Sequence, residues 1–143
     1  AAERLGRAQK GTLDGVAVGL PALLRAKKLQ KRAARVGFDW PSTDEVLDKI
    51  VEEAGELLEA REELSQAEVE EEFGDLLFVM VNLGRHLGIE SETALRAANA
   101  KFTRRFESIE RALAAIGKTP EQSNLAEMDA LWDAAKAEEK RKS

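Results

Sequence analysis

Two short acidic motifs hold the side chains of this sequence best suited to chemistry. Glu52-Glu53-Ala54-Gly55-Glu56 and Glu72-Phe73-Gly74-Asp75 each set two acids three residues apart, Glu53 with Glu56 and Glu72 with Asp75. On a helix, residues at that spacing project from nearly the same face. At about 100° per residue, Glu53 falls about 60° from Ile50, beside Leu57 and Val46, on the edge of an apolar stripe. Glu72 sits in the same way beside Val69 and Leu76, with Glu56 and Asp75 further round toward the helix flank. Packing the two stripes together gathers four carboxylates at the border of a low-dielectric core, where they repel unless protonated or bridged by cations. Hard oxygen ligands of this kind suit Mg²⁺ or Mn²⁺. Gly55 and Gly74 each precede the second acid, where glycine costs a helix about 1 kcal/mol relative to alanine. A tight crossing of the two helices at those points would explain both. Acid runs such as Glu62-Glu63 and Glu70-Glu71 are ordinary solvated surface. The two motifs differ from them in core-edge placement and matched glycines on consecutive helices.

The elements that must position these acids are helical nearly throughout. Residues 1–19, with four glycines and no periodicity, read as a flexible leader or linker remnant. A first helix follows Pro21, carries Leu20, Leu23, Leu24, Lys27, Lys28 and Lys31, and ends near Gly37. Phe38-Asp39-Trp40-Pro41 is a loop. Ser42 or Thr43 caps the second helix, Ser42 and Glu45 matching a capping box. Val46, Leu47, Ile50, Ala54, Leu57 and Leu58 recur on it at helical spacing. The third helix runs from about Ser65 to His86, with Val69, Phe73, Leu76, Leu77, Met80, Leu83 and Leu87 inward and Gly88 as its stop. A fourth begins at Ser91, turns Leu95, Ala98, Phe102, Phe106, Ile109 and Leu113 inward, and ends at Gly117. Thr119-Pro120 breaks the chain. A short last helix holds Leu125, Met128, Leu131 and Trp132, before a solvated tail, 138–143. The expected architecture is all-α and four-helix-bundle-like, with the working domain over residues 20–137. Such a thin bundle is expected to complete its core by pairing with a second copy, as an intertwined homodimer.

Bulk properties narrow the function. The 143 residues make one domain with a single modest core. No cysteine means no disulfide, thiol catalysis or thiolate-held zinc, and fits the cytoplasm. A single histidine, His86, rules out histidine-rich metal sites; at a helix end it complements the dipole, with no catalytic role. No apolar run approaches the ~18 residues of a membrane span, and no signal peptide precedes the chain. A net charge of −5 argues against binding a nucleic acid polymer. It is compatible with a phosphate-rich small ligand if cations stand between the two sets of negative charge.

The paired motifs, EExxE and then ExxD, resemble the signature of the all-α nucleoside triphosphate pyrophosphohydrolases, a superfamily of MazG, dimeric dUTPases and phosphoribosyl-ATP pyrophosphohydrolase. The likeness to MazG extends further. It takes in Leu20–Gln30 and Ala33–Trp40, the run Asn99-Ala-Lys-Phe-Thr-Arg-Arg-Phe106, and Leu125–Trp132, so that it covers about Gly11 to Lys136. Many MazG proteins carry two such domains, and this chain has room for one: a single-domain version or a C-terminal catalytic half. The resemblance implies release of pyrophosphate from nucleoside triphosphates by attack of water at the α-phosphorus, on a homodimer. It implies Glu53, Glu56, Glu72 and Asp75 as ligands of Mg²⁺ (or Mn²⁺), with Glu52 joining them or orienting a water. Lys101 and Arg105, four residues apart beside Phe102 and Phe106, would grip the β- and γ-phosphates. Asn99 is a candidate for the sugar or a phosphate, and Lys28 a further candidate for substrate. Trp132 and Trp40 would stack on the base, Trp132 foremost.

Three rivals compete. A dUTPase-like or phosphoribosyl-ATP enzyme shares the acids but not the other MazG-like segments. A ferritin-like di-iron protein needs Glu-x-x-His pairs, and neither motif has one. A helical interaction module with merely solvated acidic faces predicts no metal dependence.

Overall fold

The computed structural model describes residues 11–143, so part of the expected leader, residues 1–10, lies outside the described residues. Five α-helices follow in order: α1 Ala22–Arg35, α2 Thr43–Ala60, α3 Gln66–His86, α4 Ser91–Ala115 and α5 Leu125–Lys142, with a 3₁₀ turn at Pro120–Gln122 before the last. No strand occurs among the described residues, and the all-α expectation holds. Residues 11–19 form turns, in which the Gly11 N–H donates to Asp14 Oδ2 (2.7 Å) and Arg32 Nη1 of α1 donates to the Asp14 carbonyl (2.8 Å).

Local chemistry sets the helix ends. Ser42 accepts from the Glu45 N–H at 3.3 Å, and Ser65 from the Glu68 N–H at 3.2 Å. Each satisfies a donor that the first helical turn would otherwise leave orphaned. Gly37, Gly88 and Gly117 take φ of +89°, +74° and +74° just past their helices, a conformation that costs side-chain-bearing residues. The crowded glycine is Gly84. A Cβ there would lie 2.8 Å from Ser91 Oγ and 3.4 Å from the Ile89 carbonyl oxygen, so its bareness lets the α3–α4 turn fold back.

The chain divides into two compact units, up to Ala94 and from Leu95 onward. In the first, α3 packs against both α2 and α1. Val46, Val79 and Val81 are buried there, and buried Gln30 of α1 donates to the Phe78 carbonyl at 2.9 Å. In the second, Ile109 and Leu113 of α4 are buried. Ser123, Lys118 and Asn124 gather around Glu127 at the start of α5. Their hydrogen bonds hold its carboxyl below the ordinary range, that from Ser123 having the largest effect.

Three expectations are corrected. The stripe Phe73, Leu77, Met80 and Leu87 of α3 is exposed, as are Leu47 and Leu58 of α2 and Leu95 and Phe102 of α4. Helical periodicity identifies an apolar face, but a single chain has too few helices to cover them all. Gly55 and Gly74 mark no close crossing within the chain, since a Cβ at either meets nothing within 4 Å. The last helix is not short. It runs on to Lys142 because Ala, Glu and Lys are strong helix formers and no glycine or proline stops it.

Candidate functional site

The acids come from an αα-hairpin. Glu53 and Glu56 lie on α2 and Glu72 on α3, joined by residues 61–65, where the Glu63 and Leu64 N–H groups both donate to the Ala60 carbonyl at 2.9 Å. Because α2 and α3 pack along their lengths, Glu72 is carried to the turn that bears the other two. One carboxylate oxygen from each of Glu53, Glu56 and Glu72 lies within 4.8 Å of the others. Glu53 and Glu72 are half-buried and Glu56 is exposed. Asp75, three residues on, is exposed and stands outside that cluster.

A cation of the chain's own already attends the acids. Lys49 Nζ lies 2.8 Å from Glu53 Oε1 and 4.0 Å from Glu52 Oε1. The Glu53 hydrogen bond, with the charges of Glu52, Glu53 and Glu56, raises the Lys49 ammonium above its ordinary range. Sequence reading passed over Lys49, although its position four residues before Glu53 was the signal available. Glu52 itself is exposed. The donor set is all carboxylate oxygen, the chemistry hard divalent cations take. With metal–oxygen bonds near 2.0–2.1 Å, opposite ligands of Mg²⁺ stand about 4.2 Å apart. The cluster therefore needs to close by only about half an ångström, well within side-chain freedom, and it fits.

The second unit builds a different cluster. Phe102, Phe106 and Trp132 stack, with Phe102–Phe106 centroids at 6.1 Å and Phe102–Trp132 at 5.6 Å. The Arg105 guanidinium lies over the Trp132 ring at 5.3 Å, a cation–π contact. Arg105 is also paired with Glu139 of α5, a partner 34 residues away that no local spacing could reveal. Lys101 and Asn99 are exposed; the Asn99 carbonyl accepts from Thr103 Oγ1 at 2.9 Å.

The remaining candidates lie elsewhere in the first unit. Trp40 lines a cavity of about 600 Å³ with Leu29, Gln30, Phe78, Asn82 and Arg85, a lining that includes none of the clustered acids. Its neighbour Asp39 is clamped to the end of α3, with Oδ1 2.5 Å from Arg85 Nη2 and 2.9 Å from His86 Nε2. The Arg85 hydrogen bond, helped by His86, lowers the Asp39 carboxyl from 3.8 to about 2. His86, at the helix end as expected, thus ties the Phe38–Pro41 loop to α3. Lys28 is exposed and lines a small basic cleft with Lys31, Arg32 and Arg35.

An all-helical chain whose carboxylates converge from an αα-hairpin belongs with the helical domains built around an acidic, oxygen-only site. More particularly, residues 42–109, which take in α2, α3 and most of α4, match the MazG nucleotide pyrophosphohydrolase domain, and the chain belongs to that family. It is 49% identical over 139 residues to a nucleoside triphosphate pyrophosphohydrolase of Escherichia coli K12, covering 96% of this chain and 53% of that protein. It is 39% identical over 135 residues to the nucleoside triphosphate pyrophosphohydrolase/pyrophosphatase MazG of Thermotoga maritima, covering 94% of this chain and 52% of the relative. The chain therefore spans about half the length of these curated relatives. No described helix is long and apolar enough to cross a membrane.

Proposed function

We propose that this chain hydrolyses nucleoside and deoxynucleoside triphosphates to the monophosphate and diphosphate, in cytoplasmic house-cleaning of the nucleotide pool. The observation that carries the reading is the convergence of Glu53, Glu56 and Glu72 within a segment that matches the MazG domain. Glu53, Glu56 and Glu72 hold Mg²⁺ (Mn²⁺ is the alternative), and Asp75 joins by a change of rotamer on the same helix. Bound there, the cation supplies charge neutralisation for the triphosphate, polarises the α-phosphate and acidifies the attacking water. Lys101 and Arg105 bind the β- and γ-phosphates, with the Arg105 fork suited to two phosphate oxygens. Glu52 orients the water. Its oxygen bonds to the α-phosphorus as the bond to the α–β bridging oxygen breaks, and diphosphate leaves. Asn99 binds the sugar or a phosphate, Lys28 is a further substrate contact, and Trp132 stacks on the base in preference to Trp40. Catalysis is then mainly positioning and charge stabilisation.

The working unit in this reading is a homodimer. Support comes from the uncovered apolar side chains of α2 and α3 and from the open space above Gly55 and Gly74, where a second copy could approach closely.

The test is a panel of NTPs and dNTPs assayed for monophosphate and diphosphate, with Mg²⁺ or EDTA, for wild type and Glu56→Gln. Metal-dependent diphosphate release that the variant loses is the expected result. Orthophosphate with nucleoside diphosphate would refute attack at the α-phosphorus, and no turnover by folded, metal-loaded protein would favour a helical interaction module.

A further inference from the structure

We infer that Glu139 of α5 is the positioning residue for Arg105, holding its guanidinium flat on Trp132 so that one edge stays presented to phosphate. This rests on the proposed phosphate role of Arg105 and adds a residue that the acidic motifs do not contain.

Glu139 Oε2 accepts from both Nε (3.2 Å) and Nη2 (3.1 Å) of Arg105, while Oε1 accepts from Arg104 Nε at 3.1 Å. One carboxylate thus spans two adjacent arginines that would otherwise repel. The two arginines differ, because the Arg105 side chain is 12% exposed and that of Arg104 57%. A half-buried guanidinium with no counter-charge beside a second cation would swing toward water, and Glu139 prevents that. Trp132 fixes the plane of the ring-like guanidinium from below. With its face on Trp132 and its Nε–Nη2 edge on Glu139, the group has one edge left, that of Nη1 and the second Nη2 hydrogen. Among the described residues no partner bonds Nη1. That edge is a planar fork of the kind that grips two phosphate oxygens. Arginine–carboxylate pairing therefore orients the donor in advance, which lowers the ordering cost of binding. The hydrogen bonds from Arg104 and then Arg105 lower the Glu139 carboxyl below its ordinary range, so the clamp is ionised throughout the neutral region.

The alternative is competition, with Glu139 occupying donors that phosphate must displace. The two predict opposite signs. Calorimetric binding of inorganic tripolyphosphate to Mg²⁺-loaded full chain, beside steady-state kinetics, separates them. Glu139→Ala should raise the tripolyphosphate Kd and the KM for the triphosphate about fivefold or more, the coupling of residues in one ion-pair network. kcat should change much less, because the same grip serves ground and transition states. Glu139→Asp should recover part of the loss, and in an Arg105→Ala background Glu139→Ala should add nothing. An unchanged or lowered Kd in Glu139→Ala, with the wild type binding and turning over normally, would overturn the inference alone. A shift of equal size in the Arg105→Ala background would do the same, exposing Glu139 as a merely structural contact. If wild-type protein hydrolyses triphosphates yet Arg105→Ala binds tripolyphosphate as well as wild type, the phosphate role of Arg105 fails and the inference with it. If the wild type binds no tripolyphosphate at all, both are overturned.

Discussion

Removing a charge from the acidic cluster should make the metal-free protein more stable and the metal-loaded protein less so. Glu56 takes part in two of the three carboxylate pairs, each with oxygens no more than 4.8 Å apart. Even at the dielectric of water a pair at that distance costs about 0.9 kcal/mol, so Glu56 carries about 1.7 kcal/mol of repulsion. Lys49, seated on Glu53, offsets part of it, and about 1 kcal/mol remains for Glu56→Gln to relieve. Glutamine matches glutamate in helix propensity, so little else changes. Unfolding entropy for 143 residues is about 0.3 kcal/mol per kelvin, and 1 kcal/mol then moves the melting temperature by about 3 °C. Mg²⁺ at one hundred times its Kd stabilises a binding protein by about 2.7 kcal/mol, or about 9 °C on the same scale. The assay is thermal unfolding of wild type and Glu56→Gln in EDTA and across a Mg²⁺ titration. In EDTA the variant should melt about 3 °C higher; in saturating Mg²⁺ the order should reverse. Equal melting in EDTA would refute the repulsion argument, and equal gains from Mg²⁺ would refute Glu56 as a ligand.

Three further outcomes follow from other contacts. Asp39, lowered from 3.8 to about 2, contributes stability above its unfolded value that disappears as pH falls through about 2. The shift corresponds to about 2 kcal/mol, reduced to about 1 by solvent screening of a partly exposed group. Asp39→Asn should thus be about 1 kcal/mol less stable than wild type in urea at pH 7, with the gap closing between about pH 4 and pH 2. Ser42→Ala should cost about 1 kcal/mol in the same measurement through loss of the α2 cap. Leu77→Lys, on the uncovered stripe of α3, should convert a dimer to monomer in sedimentation equilibrium; a wild type that sediments as a monomer at micromolar concentration refutes the dimer.

The helix boundaries were legible because they are decided locally. Ser42 and Ser65 satisfy the first-turn donors, and Gly37, Gly88 and Gly117 relax the left-handed ends, within a few residues of each feature. The meeting of Glu53, Glu56 and Glu72 could be anticipated for a related reason, since a short hairpin leaves helices α2 and α3 few ways to pack. Partners at long range were not legible. Periodicity marked Phe73, Leu77 and Met80 as an apolar face but not what covers it, and within one chain nothing does. The glycines at 55 and 74 looked like a close crossing, whereas crowding occurs at Gly84, against a turn whose fold-back no residue type announces. Glu139 sits in a charged run that reads as solvated surface, and only the three-dimensional arrangement brings it to Arg105.

That the clustered acids all sit on one hairpin has a consequence for heredity. Glu53 and Glu72 are 72 − 53 = 19 positions apart, joined by a five-residue connection, 61–65. A recombination point outside α2 and α3 transfers the three carboxylates together, in register, to whatever neighbour the new gene supplies. The same event can separate them from Arg105, Trp132 and Glu139, which lie on other helices. Acidic site and phosphate grip are thus inherited on separable stretches of sequence, the first conserved as a block and the second open to exchange.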